Sequence, residues 1–278
     1  MKRGKTWHNF KQSFKANPKM TLLYLILRVI VVAIMVAQFF NGDIANVFLC
    51  LLTLLLFMIP SFVEKRIKIS IPNTMEVIVI VFIFAAEILG EIAEYYVNVR
   101  GWDTALHTAT GFLAAAVGFA LIDILNRSTR FAFRMSPVFV ALVAFCFSMT
   151  IGVVWEFFEF GVDNILNKDM QKDTVVTTVR SVALHPEGRN IPIVVSDIDE
   201  TVIRGSVNGE ETEVRVEGYL DIGLYDTMKD LLVNFIGAVV FSAIGYFYVK
   251  HRGEGRNGRF TERFILTRIE ETRDKGDP

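Results

Sequence analysis

Charge is scarce in this chain: Asp, Glu, Lys and Arg make up 21% of its 278 residues against 52% apolar ones, and the mean hydropathy is +0.41. Soluble domains carry about 25% charged residues and a smaller apolar share, so this composition is too apolar for an ordinary soluble domain of this size. Cysteine is nearly absent. Its two copies, Cys50 and Cys146, fall inside apolar runs, which rules out an exported disulfide framework and leaves them as buried, inert thiols. The formal charge of −1 excludes no partner class by itself.

Long hydrophobic runs are what the sequence does have. A hydrocarbon layer of roughly 30 Å needs about 20 apolar residues in a helix, and six runs reach that length: Met20–Phe40, Ile44–Val63, Thr74–Tyr96, Asp103–Leu125, Pro137–Phe160 and Asp226–Val249. The pattern predicts an all-α membrane protein, a bundle of six transmembrane helices. The first run has full span length and no small-residue cleavage pattern, so it is expected to be a signal anchor.

Basic residues set the orientation. Lys2, Arg3, Lys5, Lys11, Lys15 and Lys19 precede the first span, Lys65, Arg66 and Lys68 follow the second, Arg127, Arg130 and Arg134 follow the fourth, and Lys250, Arg252 and Arg256 follow the sixth. These alternate as cytoplasmic loops of a bacterial-type plasma membrane protein should, which puts both termini inside. Trp7, Phe10 and Phe14 recur at helical spacing among the lysines, either as an amphipathic helix on the anionic inner leaflet or as a plain topogenic segment.

The expected divisions are a basic segment over 1–19, helices one to five over 20–163, an extracytoplasmic cap over 164–225, helix six over 226–250 and a charged tail over 251–278. The cap reads as β-rich. Thr174–Leu184 alternates, Ile191–Val195 is strand-like, and Asn208-Gly209 favours a type I′ turn that pairs Thr201–Ser206 with Thr212–Val216. The string IPIVVSDIDETV, with Asp197, Asp199 and Thr201, resembles the opening motif of the haloacid dehalogenase superfamily. That fold is a parallel α/β sheet of well over a hundred residues, and the cap has no room for it. The tail beyond His251, with Phe260, Phe264 and Ile269, carries no assigned function.

Chemistry concentrates at the outer ends of the last four spans. Glu87, Glu91 and Glu94 are spaced to share one face of the third; Asp103 and His107 stand one turn apart on the fourth. The fifth ends with Trp155, Glu156, Phe158, Glu159 and Asp163, and the sixth opens with Asp226, Asp230 and Asn234 at i+4 steps, with Lys229 beside them. An ionised group at mid-bilayer costs roughly 2.5–3.5 kcal/mol even on the lenient insertion scale. Lys229 and Arg100 are the chief nearby cations, so the carboxylates must be protonated or share a bound cation. One imidazole with several carboxylates fits a divalent Zn, Mn or Fe ion held in a helical bundle. The alternative is a proton-sharing, hydrogen-bonded network that orients helices. Gly111 with Gly118, and Gly237 with Gly245, supply small residues for close helix approach, within one bundle or between subunits.

The segments GWDTALHTATGF, VWEFFEFGVD and YDTMKDLLVNFIGA resemble the recurring motifs of the YjdF-like inner-membrane proteins, over the stretch from Glu87 to Gly237. The resemblance implies a multi-pass membrane protein and singles out Asp103, His107, Gly111, Glu156, Glu159, Asp226 and Asp230. A looser likeness to VanZ-like membrane proteins rests on the acid four residues before a histidine.

Three functions fit this reading. The first is a metal-dependent hydrolase or transferase acting on a lipid, lipid-linked or envelope substrate. Asp103, His107, Glu156 and Asp230 would then hold the metal, with Asp226 and Glu87 as further ligands. Glu159 or Glu91 would be general base toward a metal-bound water, and Trp155 and Phe158 would border the lipid tail. The second is a cation or proton-coupled transporter, which needs a continuous polar path that Val77–Ala86, Phe112–Ile122, Val138–Phe147 and Phe235–Tyr248 hardly offer. The third is a non-catalytic membrane scaffold or sensor. Nucleic acid is not an expected partner, and oligomeric state is not written in the sequence.

Overall fold

The computed structural model describes residues 18–67, 69–126, 135–251 and 262–268. The Trp7/Phe10/Phe14 segment, the arginines after the fourth span and most of the tail lie outside the described residues. The chain divides into two compact units, Met1–Gly152 with Val233–Pro278, and Val153–Leu232.

Helices dominate the first unit because each apolar run satisfies its own backbone and leaves only side chains to face its surroundings. α1 (Pro18–Phe40) and α2 (Ile44–Leu56) are joined by a tight turn in which Gly42 takes a φ of 77°, and Asp43 caps α2 by accepting from the Asn46 amide at 3.0 Å. α2 does not run unbroken to Val63. It stops at Leu56, resumes as a short turn at Ile59–Phe62 with Pro60 in its first turn, and ends in wider π winding at Val63–Ile67.

α3 (Asn73–Phe84) passes at Ala85 into eight residues of π-helix, and the chain then leaves the helix at Glu94, whose φ is 58°. The expected third span Thr74–Tyr96 is therefore helical from Asn73 to Ile92, but as α-helix followed by π-helix, and its last residues leave the helix. Its apolar face cannot keep one period across a change from i+4 to i+5 bonding, and the stretch carries Glu76, Glu87 and Glu91. Among the described residues, five other segments are long and apolar enough to cross a membrane: Pro18–Phe40, Ile44–Arg66, Trp102–Asp123, Pro137–Leu166 and Leu224–His251. The last three lie in α4 (Trp102–Asn126), α5 (Pro137–Leu166) and α6 (Leu224–His251).

Two apolar clusters hold this unit. One joins Leu27 and Val31 of α1, Cys50 and Phe57, and Ile80, Ile83 and Ile88. The other packs Ala115, Ala116 and Phe119 of α4, Val140 and Ala144 of α5, and Ala238 and Phe241 of α6. Phe241 meets Phe112 and Phe119 edge-on, at 5.0 and 6.0 Å between ring centres. Glycines let these helices touch: a Cβ on Gly152 would stand 2.7 Å from the Asn234 amide nitrogen, and one on Gly118 2.7 Å from Phe147. Gly111 faces the Asn234 backbone and Gly237 the Thr108 carbonyl just as closely, so these small residues serve contacts within the bundle. Large apolar side chains such as Leu22, Val29, Phe48, Leu55 and Val138 face outward, which is favourable where hydrocarbon is the solvent. Cys50 is buried, but Cys146 is exposed, a correction to the expectation of two buried thiols. A short antiparallel pair, β1 (Ile69–Ser70) with β8 (Thr267–Arg268), closes the other end of the chain onto this unit.

The second unit holds the last part of α5, the first turns of α6 and a cap between them. Three two-stranded antiparallel sheets make up the cap: β2 (Val175–Val176) with β7 (Tyr219–Leu220), β3 (Val179–Ser181) with β4 (Ile193–Val195), and β5 (Thr201–Val207) with β6 (Glu210–Val216). The last is the expected hairpin, with Thr201 opposite Val216 and Asn208 and Gly209 both at positive φ, as a type I′ turn requires. All described sheets are two-stranded and antiparallel, so the Asp197/Asp199/Thr201 string has none of the parallel sheet that dehalogenase-type chemistry is built on.

Candidate functional site

In the first unit α4 brings Asp103 and His107 together. Helical spacing stacks residues four apart, and His107 Nε2 stands 3.3 Å from Asp103 Oδ1, the imidazole 12% and the carboxylate 25% exposed. One turn further along the same face is Gly111, whose carbonyl accepts a hydrogen bond from the buried Ser148 hydroxyl at 2.7 Å. The missing Cβ of Gly111 admits the backbone of Asn234, and Gly152 admits its side chain, whose amide nitrogen reaches Met149 Sδ at 3.6 Å. Asn234 is fully enclosed, and its Oδ1 has no hydrogen-bond partner among the described residues. Ser148 and Gly152 were absent from the sequence reading, although they continue the Glu156 face at i−4 steps and were open to the same argument.

The third-span acids do not form the expected stripe. Glu87 and Glu91 lie in the π-wound segment and Glu94 has left the helix. Glu87 is half-buried while Glu91 and Glu94 are exposed. A face calculated for 3.6 residues per turn does not survive that winding.

In the second unit Glu156 and Glu159 are buried, at 4% and 7% exposure. The Trp155 indole N–H donates to Glu159 Oε1 at 2.7 Å, and its ring lies against Phe158 with centres 5.3 Å apart. On α6, Lys229 Nζ lies 3.1 Å from Asp226 Oδ1 and 3.6 Å from Asp230 Oδ1. Asp230 is buried, so that ammonium neutralises a carboxylate that water does not reach.

Asp163 and Asp226 have a second duty. The Asp163 carboxylate accepts from the Met170 and Gln171 amides at 2.6 and 2.9 Å, and Asp226 Oδ2 accepts from the Lys172 amide at 2.9 Å. Asp221 continues the pattern by accepting from the amides of Thr174 and Tyr225, each at 2.7 Å, and of Gly223 at 3.3 Å. Three carboxylates thus lace residues 170–174 to both helix ends. Burial works against the Asp221 charge, but the backbone donors outweigh it and hold its carboxyl below the usual range. Asp173, penalised first by burial and then by Asp169, Asp221 and Asp163, is pushed up.

Long apolar helices with hydrocarbon side chains outward, and ionisable groups gathered toward helix ends, define a multi-pass integral membrane protein. The chain belongs to the family described as predicted membrane protein DUF2238, whose pattern it matches over residues 22–251. This is the family to which the YjdF-like motifs pointed. No curated protein and no solved structure matches the chain.

Proposed function

We propose that this protein is a six-span plasma-membrane protein with both termini in the cytoplasm and its cap outside, and that it binds a divalent cation, Zn, Mn or Fe, at its outer face through Asp103 and His107. Its activity is metal-dependent hydrolysis or group transfer on a lipid, lipid-linked or envelope substrate. The bound cation supplies a Lewis acid and a water of lowered pKa. Glu159 or Glu91 would serve as general base toward that water, and Trp155 and Phe158 would border the substrate's apolar part. Further metal donors are sought among Glu87, Glu156, Asp226 and Asp230, which the sequence singled out.

The observation that carries this reading is the Asp103–His107 pair: a carboxylate and a largely buried imidazole, 3.3 Å apart at the start of a spanning helix. Nε2 and Oδ1 face each other at the separation of two ligand atoms on one cation, so a bound ion would take the place of their direct contact. The trapped Trp155–Glu159 bond supports Glu159 as a base whose geometry is set in advance. Against translocation stands the apolar core beyond Asn234, where Ala115, Phe119, Ala238 and Phe241 are fully buried. These residues would offer a passing cation only methyl and phenyl groups, and the buried polar side chains beyond them on α4 and α6 are Asp123 and Ser242 alone among the described residues.

Elemental analysis of the purified protein tests the cation. The wild type should carry a transition metal that the His107→Ala, Glu156→Ala double variant and Asp103→Asn lose. Single substitutions at Glu87, Asp226 and Asp230 sort the remaining donors by the same measurement. Equal metal content in the wild type, the double variant and Asp103→Asn overturns the reading.

A further inference from the structure

Arg28 stands where a cation is costly. It lies about 15 Å along α1 from Pro18 by helical rise, its side chain is exposed, and it is set among the outward-facing Leu25, Ile26, Val29 and Val32. In a membrane that surface meets acyl chains, and a guanidinium left alone there is strongly disfavoured.

The side chain does not stay at the depth of its backbone. Its guanidinium carbon stands 5.3 Å over the Tyr24 ring, one turn toward the helix N-terminus, the direction in which helical Cα–Cβ bonds lean. Tyr24 is itself pinned, since its hydroxyl donates to Glu76 Oε1 at 2.8 Å in the first turn of α3. The cation is therefore held at the level where α3 begins, near the polar boundary, and with its fork of N–H donors still on the lipid-facing side. Among the described residues no carboxylate forms an ion pair with it; the Tyr24 ring is its recorded partner.

We propose that Arg28, backed by Tyr24, holds the phosphate of an anionic phospholipid from the leaflet on the Pro18 side of α1, with the lipid's chains along Leu25, Val29 and Val32. Guanidinium geometry matches two phosphate oxygens at once, and stacking on an aromatic face leaves that fork free to do so. A lipid suits the position better than a soluble anion, because Leu25, Ile26, Val29 and Val32 beside it are apolar and exposed, and the ligand brings its own hydrocarbon to cover them. The site is separate from the Asp103–His107 pair and does not depend on its chemistry.

The test is retained phospholipid. Full-length protein is extracted from vesicles of mixed anionic and zwitterionic phospholipid, exchanged through detergent, and its bound lipid measured by mass spectrometry. The wild type should keep anionic lipid selectively. Arg28→Gln should lower that retention roughly tenfold, the loss expected for one charge-assisted hydrogen-bonding group. Arg28→Lys should keep part of it, and Tyr24→Leu should weaken it with the charge intact. Lys19→Gln, which removes a cation at the helix start, should change it little. Undiminished retention in Arg28→Gln overturns the proposal, as does selectivity lost with Lys19 rather than Arg28. Two further outcomes count against it: displacement of the wild type's retained lipid by inorganic phosphate as complete as that by added anionic lipid, and conversion of a dimer to a monomer by Arg28→Gln with lipid retention unchanged, which would give the cation to a second copy of the chain.

Discussion

Gly237→Ala isolates the close packing on which the α4–α6 pair depends. A Cβ built on Gly237 overlaps the Thr108 carbonyl oxygen and lies 2.8 Å from the Phe112 amide nitrogen. Both obstacles are backbone, so no rotamer change relieves them, and the helices must separate to regain ordinary contact. Overpacking a core with one methyl typically costs about 1–3 kcal/mol, and here the rigid neighbour argues for the upper end. Set against it is the gain of about 1 kcal/mol from replacing glycine by alanine inside a helix. A net loss of about 2 kcal/mol remains, which lowers the melting temperature by roughly 4–8 °C for a chain of this size. Gly161→Ala is the matched control. It lies within α5 with nothing within 4 Å of the added carbon, so only the propensity gain acts and the melting temperature should rise. Thermal unfolding in detergent, followed by circular dichroism, reads both variants. If Gly237→Ala melts no lower than the wild type, or if Gly161→Ala falls as far, helix contact is not what Gly237 provides.

The spans were legible because a twenty-residue apolar run has few soluble explanations, and the β5–β6 register was legible because Asn208-Gly209 admits few turns. The π winding of 85–92 was not. Over two turns, a period of 3.6 residues and a wider one place Glu87 and Glu91 almost equally well, and only the exit of Glu94 exposes the difference. Arg28 was lost for another reason: one cation among some twenty apolar residues hardly moves a window average, so the reading passed over it. Asp163 and Asp226 show the limit of reasoning from residue type. A carboxylate near a helix end suits metal binding, but it suits the capture of backbone amides as well, and the partners of these two, Met170, Gln171 and Lys172, become visible only once the chain has folded back. Asp103 with His107 needed no such return of the chain, since one helix supplies both.

Three more measurements probe the cap and its attachment. Ile222 is a β-branched residue at φ 52° and 85% exposed; left-handed backbone costs such a residue about 1–2 kcal/mol and asparagine less, so Ile222→Asn should raise the melting temperature, and a fall would mean that the side chain is held by contacts outside the chain. Gly209→Val places a branched side chain at φ 87° in the hairpin turn, which should strip hydrogen-exchange protection from β5 and β6 while leaving β3 and β4 unchanged; unaltered protection of the hairpin would refute the turn's role. Asp221 should make the strap acid-sensitive. Its carboxyl is lowered in the folded chain, so its contribution is complete above the ordinary carboxylate value of about 4 and fades as pH falls through the lowered one. Exchange protection of the Thr174 and Tyr225 amides, which both donate to it, should therefore drop on acidification. Asp221→Asn should show the reduced protection already at neutral pH and lose the acid step, because the amide keeps an acceptor oxygen but not the charge that made it outweigh burial. Asp173 works in the opposite sense, being raised by burial and by its acidic neighbours, so Asp173→Asn should strengthen the strap at neutral pH. An acid step that persists in Asp221→Asn would refute Asp221 as the source of the sensitivity.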